Sequence, residues 1–136
     1  MAISLASLRT TLALTPPRIL IHGVAGVGKS TFAAAADRPV FIMTEDGLGK
    51  LQVPHFPLAT SYAEVAEALD ARNARDEAVE AARKAWTSGV LGADDESRLL
   101  ARFGDDIGTE DHDARMDRLL WLRSTSTAMR QLPLTS

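Results

Sequence analysis

A chain of 136 residues allows one compact domain or two small units. Its net charge of −3 argues against nucleic-acid binding by bulk attraction and leaves room only for a local basic patch. The absence of cysteine excludes disulfides and thiolate metal sites, and His22, His55 and His112 lie too far apart for metal-ligand spacing. Residues 1–15 are mildly apolar but lack a basic leader region and a continuous apolar core, and no apolar run approaches the ~20 residues of a membrane helix. A cytoplasmic protein without membrane contact is expected. Aromatic residues make up 5% and alanine is abundant, so a thin, helix-rich core is expected.

In chain order, Thr15-Pro16-Pro17 breaks any regular structure, and residues 18–22 (Arg-Ile-Leu-Ile-His) follow as a short apolar strand. A glycine-rich loop comes next, then a helix of small residues over 29–36 with Phe32 turned inward. Pro39 stops that helix. Residues 40–43 read as a second buried strand, closed by Thr44-Glu45-Asp46-Gly47. Two prolines make 52–59 at best an edge strand. Ser61 and Glu64 form a capping box for a helix carrying Tyr62, Val65, Ala66 and Leu69 on one face.

Residues 70–77 are polar all round and mark a seam between a unit at 1–70 and a helical segment at 71–136. Beyond the seam every element reads as helix. Val79, Ala82 and Trp86 share a face, and Gly89 stands where that helix ends. Asp94 caps a helix carrying Leu99, Leu100 and Phe103, which stops at Gly104. Thr109 caps another with Met116, Leu119 and Leu120 as its buried stripe. A last helix over 126–132 ends at Pro133. Antiparallel helix pairs are expected. The fold class is therefore α/β: a truncated unit of two or three strands with helices, followed by an all-helical segment.

The run Gly23-Val24-Ala25-Gly26-Val27-Gly28-Lys29-Ser30 satisfies G-x-x-x-x-G-K-[ST] at every defined position. Such a loop wraps a polyanion so closely that side chains would collide with it. Glycine removes the Cβ, and successive backbone N–H groups turn toward the phosphates. Lys29 reaches the β- and γ-phosphates, the Ser30 hydroxyl ligates Mg²⁺, and Thr31 completes the set at the start of the helix. Position after an apolar strand and before a helix is the context that favours this reading over an idle glycine turn. Glu45 and Asp46 follow the second strand, where a carboxylate would face the phosphates and orient the attacking water. The other reading is a solvated turn, since Thr-Glu-Asp-Gly is good turn chemistry.

The run from Pro16 to Ala33, with Pro39-Val40-Phe41-Ile42-Met43-Thr44-Glu45-Asp46-Gly47-Leu48 and Val53-Pro54-His55-Phe56-Pro57, resembles the RecA-like AAA-type ATP-binding proteins of phages and prophages. The resemblance covers residues 4–69. It implies an ATPase of phage DNA recombination or replication, with ATP and Mg²⁺ as ligands. By position, Glu45 matches the catalytic glutamate of that family. Single-stranded DNA, recombination proteins and further copies of the chain are the implied partners. The family's next element, an apolar Walker B strand ending in aspartate, has no counterpart after residue 70. Asp46 substitutes as the metal carboxylate only if the two N-terminal strands pair directly. A finger arginine from a neighbouring subunit has Arg72, Arg75 and Arg83 as candidates.

Over residues 77–134, the runs 81–86, 99–104 and 111–121 resemble the superhelical region of soluble lytic transglycosylases, a scaffold of helix pairs. The catalytic domain of those enzymes is missing, so no peptidoglycan cleavage is implied. Asp111, His112 and Asp113 have the look of a catalytic cluster, but acids are common in a helix's first turn. Two unlike halves imply a fusion, a truncated or misjoined reading frame, or an artificial chain. Three functions follow: an ATP-binding protein with impaired or absent hydrolysis, a full oligomeric ATPase on phage DNA, or a non-enzymatic helical interaction module with a vestigial P-loop.

Overall fold

Alanine is the best helix former and lets neighbouring helices approach closely. Its concentration beyond residue 60 makes that part of the chain helical. The computed structural model describes residues 18–136. The readings of residues 1–15 and of the Thr15-Pro16-Pro17 breaker lie outside the described residues. The helices are α1 (Lys29–Ala34), α2 (Tyr62–Ala71), α3 (Arg75–Ser88), α4 (Ala93–Phe103), α5 (Thr109–Trp121) and α6 (Thr125–Gln131), with a 3-10 turn at Leu132–Leu134.

Helix boundaries follow capping chemistry. Ser61 Oγ accepts the Glu64 amide at 3.3 Å, and the Glu64 carboxylate reaches back to the Thr60 amide at 2.6 Å, one residue earlier than a strict capping box. Gly89 ends α3 and Gly104 ends α4, as the sequence suggests. Two starts shift. Gly92 rather than Asp94 precedes α4, and Gly108 rather than Thr109 precedes α5. At Gly108 the missing side-chain cap is offset by Asp111, whose carboxylate accepts the Gly108 amide at 3.0 Å.

The core lies beyond residue 60. Ala63 and Ala66 of α2 meet Ala78, Ala81, Ala82 and Ala85 of α3, and Trp86, Leu99, Phe103 and Ile107 complete the cluster. Residues on both sides of position 70 therefore share one apolar core. The buried faces are narrower than expected: Tyr62 and Leu120 are 61% and 60% exposed, and the expected stripe on α5 reduces to Leu119 with half-buried Met116.

The α/β expectation is corrected. Among the described residues there is no sheet, only an isolated parallel bridge between Phe41 and His55. The Phe41 amide donates to Pro54 O at 2.9 Å, the Phe56 amide to Phe41 O at 2.9 Å and the Ala59 amide to Met43 O at 2.8 Å. Residues 18–22 form no strand. The reason is physical. Parallel strands are stable when both faces are covered, and Leu20 is 90% exposed here. Pro54 and Pro57 remove two donors from the segment that would pair. Helix α1, only 6 residues long, buries nothing, and Phe32 is exposed rather than turned inward.

The helices are tied by charge as well as by packing. Arg115 of α5 is fully buried. It donates to Trp86 O at 2.8 Å and to Glu96 Oε1 at 2.6 Å, and its guanidinium lies 4.2 Å from the Trp86 ring centroid. Arg130 of α6 holds the same Glu96 at 3.2 Å. Asp70, at the end of α2, accepts Arg102 Nε at 2.6 Å and Arg75 at 3.0 Å. Arg75 also pairs with Asp106 and stacks 4.9 Å from the Phe103 ring.

Truncation of Trp86 removes the largest core side chain and the surface under Arg115. Trp86→Ala is expected to cost about 3–5 kcal/mol, read as a lowered denaturant midpoint in chemical unfolding. The hydrogen bond from Arg102, and then that from Arg75, hold the Asp70 carboxyl below its ordinary value of 3.8. A lowered folded value contributes stability that is complete above 3.8 and is lost as pH falls through the folded value. Thermal midpoints measured from pH 6 down to about 2 are therefore expected to fall more steeply for wild type than for Asp70→Asn.

Candidate functional site

The glycine loop needs backbone conformations that other residues resist. Gly26 and Gly28 adopt φ of +80° and +93°, the left-handed region. Gly28 is the residue from which α1 starts, and its carbonyl accepts the Phe32 amide at 2.9 Å. The Lys29 ammonium folds back over the loop and donates to Gly23 O at 2.8 Å and Val24 O at 2.9 Å. Two of its three donors thus hold the loop's own shape.

A cavity of about 460 Å³ opens beside this loop. One wall is Ala25, Gly26, Gly28, Lys29, Ser30 and Thr31; the other is the turn carrying Glu45, Gly47, Leu48, Lys50 and Leu51. The volume lies within the range usual for small-molecule sites. Its charged lining is two lysines against one glutamate, a net positive site in a chain of net charge −3. The donor set of left-handed glycines, a lysine and two hydroxyls suits a phosphate chain. Among the described residues no group of three or more histidines and carboxylates could hold a metal alone.

Of the residues expected from sequence, Ala25, Gly26, Gly28, Lys29, Ser30, Thr31 and Glu45 line this one cavity. Gly23, Val24 and Val27 belong to the loop without lining it; Gly23 and Val24 contribute the carbonyls that hold Lys29. Asp46 is exposed at the turn and does not line the cavity. Residues 18–22 and 40–43 do not pair, so the condition for Asp46 to serve as the metal carboxylate is not met. Lys50 lines the cavity and was missed by sequence reasoning; the signal was a cation placed just after the acidic turn.

The remaining candidates hold the fold together. Asp111 caps α5 and pairs with Arg83 at 3.4 Å. His112 packs edge-on against Trp86, with ring centroids 5.5 Å apart, and Gln131 lies 3.1 Å from its Nδ1. Asp113 accepts the Ser136 hydroxyl at 2.9 Å. Arg75 and Arg83 are engaged within the chain, while Arg72 has no side-chain partner among the described residues.

No helix among the described residues is long and apolar enough to cross a membrane. No curated protein and no solved structure matches the chain. A family model described as an AAA domain matches residues 15–120. The match takes in the glycine loop, the acidic turn and the helical segment as far as Leu120. Covering well over half of the sequence, it shows that the chain belongs to this AAA-domain family, a family of nucleotide-binding, ATPase-like character.

Proposed function

We propose that the chain binds ATP with Mg²⁺ through residues 23–31 and hydrolyses it weakly or not at all. The observation that carries this reading is the single cavity shared by Lys29, Ser30, Thr31 and Glu45. The loop amides hold the phosphates, and Lys29 turns a donor from the loop carbonyls toward them. The Ser30 hydroxyl is the protein's ligand to Mg²⁺. When bound, that ion supplies charge neutralisation at the phosphate oxygens. Glu45 orients a water on the opposite wall and receives its proton. Weak turnover follows from the lack of any strand after residue 70 among the described residues, so that no Walker B aspartate joins the site.

The resemblance to RecA-like phage proteins extends this reading to recombination or replication, acting in the cytoplasm as an oligomer on single-stranded DNA or beside recombination proteins. Arg72, exposed and unpaired among the described residues, is then the best of the three arginines for a neighbour's site. Because the AAA match includes residues 77–120, we read the helical segment as part of the AAA chain rather than as a transglycosylase scaffold.

Calorimetric titration of Mg·ATP is expected to show binding to wild type that weakens about ten- to a hundredfold in Lys29→Ala, the effect of losing a charge-assisted hydrogen bond. No binding to a protein shown to be folded by circular dichroism would overturn the proposal in favour of a helical interaction module. Any phosphate release by wild type is expected to vanish in Glu45→Gln while binding persists. Unchanged release would remove Glu45 from the chemistry.

A further inference from the structure

The cavity lining beyond the glycine loop includes a tight turn. The Leu51 amide donates to Leu48 O at 3.0 Å, and Gly49 between them adopts φ of +55°. This turn sets Lys50 against the cavity. Leu48 and Leu51 on either side offer no side-chain donor to an anion. Among the described residues Lys50 makes no ion pair and no side-chain hydrogen bond, in contrast to Lys29, two of whose donors are engaged by the loop. A lysine with three free donors thus lines the same cavity as the loop and Glu45.

We propose that Lys50 is a specificity-determining residue that reads the distal end of a bound nucleoside polyphosphate and makes the site prefer triphosphate over diphosphate. The inference rests on the reading of the loop as an ATP site. The loop wall grips a polyphosphate through backbone amides and Lys29, which already engage a diphosphate. The further phosphoryl group of a triphosphate adds negative charge that Lys29, two of whose donors are engaged by the loop carbonyls, meets only in part, which leaves a role for the other lining segment. On that segment Lys50 is the sole cation among the described lining residues, and Glu45 alone would repel the added charge. Lys50 therefore also offsets the cost of holding a carboxylate near the terminal phosphate. Its position after a left-handed glycine, on a turn rather than in the core, lets the side chain be changed without disturbing the helices.

The test is calorimetric titration of Mg·ATP and Mg·ADP into the full chain as wild type, Lys50→Ala, Lys50→Arg and Lys29→Ala, each first checked by circular dichroism. Lys50→Ala is expected to weaken Mg·ATP about five- to tenfold and Mg·ADP less than about twofold, so that the preference collapses. Lys50→Arg keeps the charge and is expected to keep the preference. Lys29→Ala is expected to weaken both nucleotides together. Wild-type Mg·ATP affinity in Lys50→Ala, or equal losses for the two nucleotides, would overturn the assignment while leaving the ATP site intact. Wild type that binds neither nucleotide overturns the site itself, and this inference with it.

Discussion

The buried guanidinium of Arg115 is the constraint around which the helical part is arranged. It rises from α5, donates to the carbonyl of Trp86 at the end of α3, and pairs with Glu96 of α4, which also holds Arg130 of α6. Four helices thus meet through one charge. A buried charge is costly unless paired and hydrogen-bonded, so every element that supplies a partner is fixed in place. Burial pulls Arg115 below its ordinary value and Glu96 opposes that shift, so the carboxylate is what keeps the charge tolerable. The arrangement is tight enough to leave Arg115 Nε and Trp86 Nε1 without a protein acceptor.

The loop and its cavity stand on a different footing. Their shape is local: left-handed glycines, two carbonyls holding Lys29, and a turn closed by one backbone hydrogen bond. What links them to the helices is the short parallel contact of residues 41–43 with 54–59, ending on the buried Ala59 just before α2. The site can therefore be formed by sequence-local chemistry even though no sheet supports it.

This division explains what the sequence disclosed. The glycine loop was legible because its residue types are demanded by backbone geometry at fixed spacing, and the place of Glu45 on the cavity lining was legible because it follows an apolar run. Helices α2 to α6 were legible from Ser61, Gly89, Gly104 and their apolar faces. The strand expectations failed, because strand-like composition at 19–21 specifies only a preference, and pairing needs neighbours that the described residues do not supply. Arg115 and Lys50 were also missed. A charged residue in a helical pattern such as Arg115 reads as solvent-facing, and only packing shows it to be interior; Lys50 stood just after the acidic turn, a position whose place on the cavity the structure supplies.

The seam between α2 and α3 has a consequence for how this chain can vary. Its contact surfaces are methyl groups: Ala63, Ala66, Ala78, Ala82 and Ala85 are all sealed from solvent. Such a seam tolerates change in neither direction. A larger side chain at any of these places must push two backbones apart, at a typical cost of about 1–3 kcal/mol, while glycine would cost about 1 kcal/mol in helix propensity. Alanine is close to the only residue that fits, so sequence drift in this protein is expected to run through its outer faces and leave the joint beside Asp70 nearly fixed.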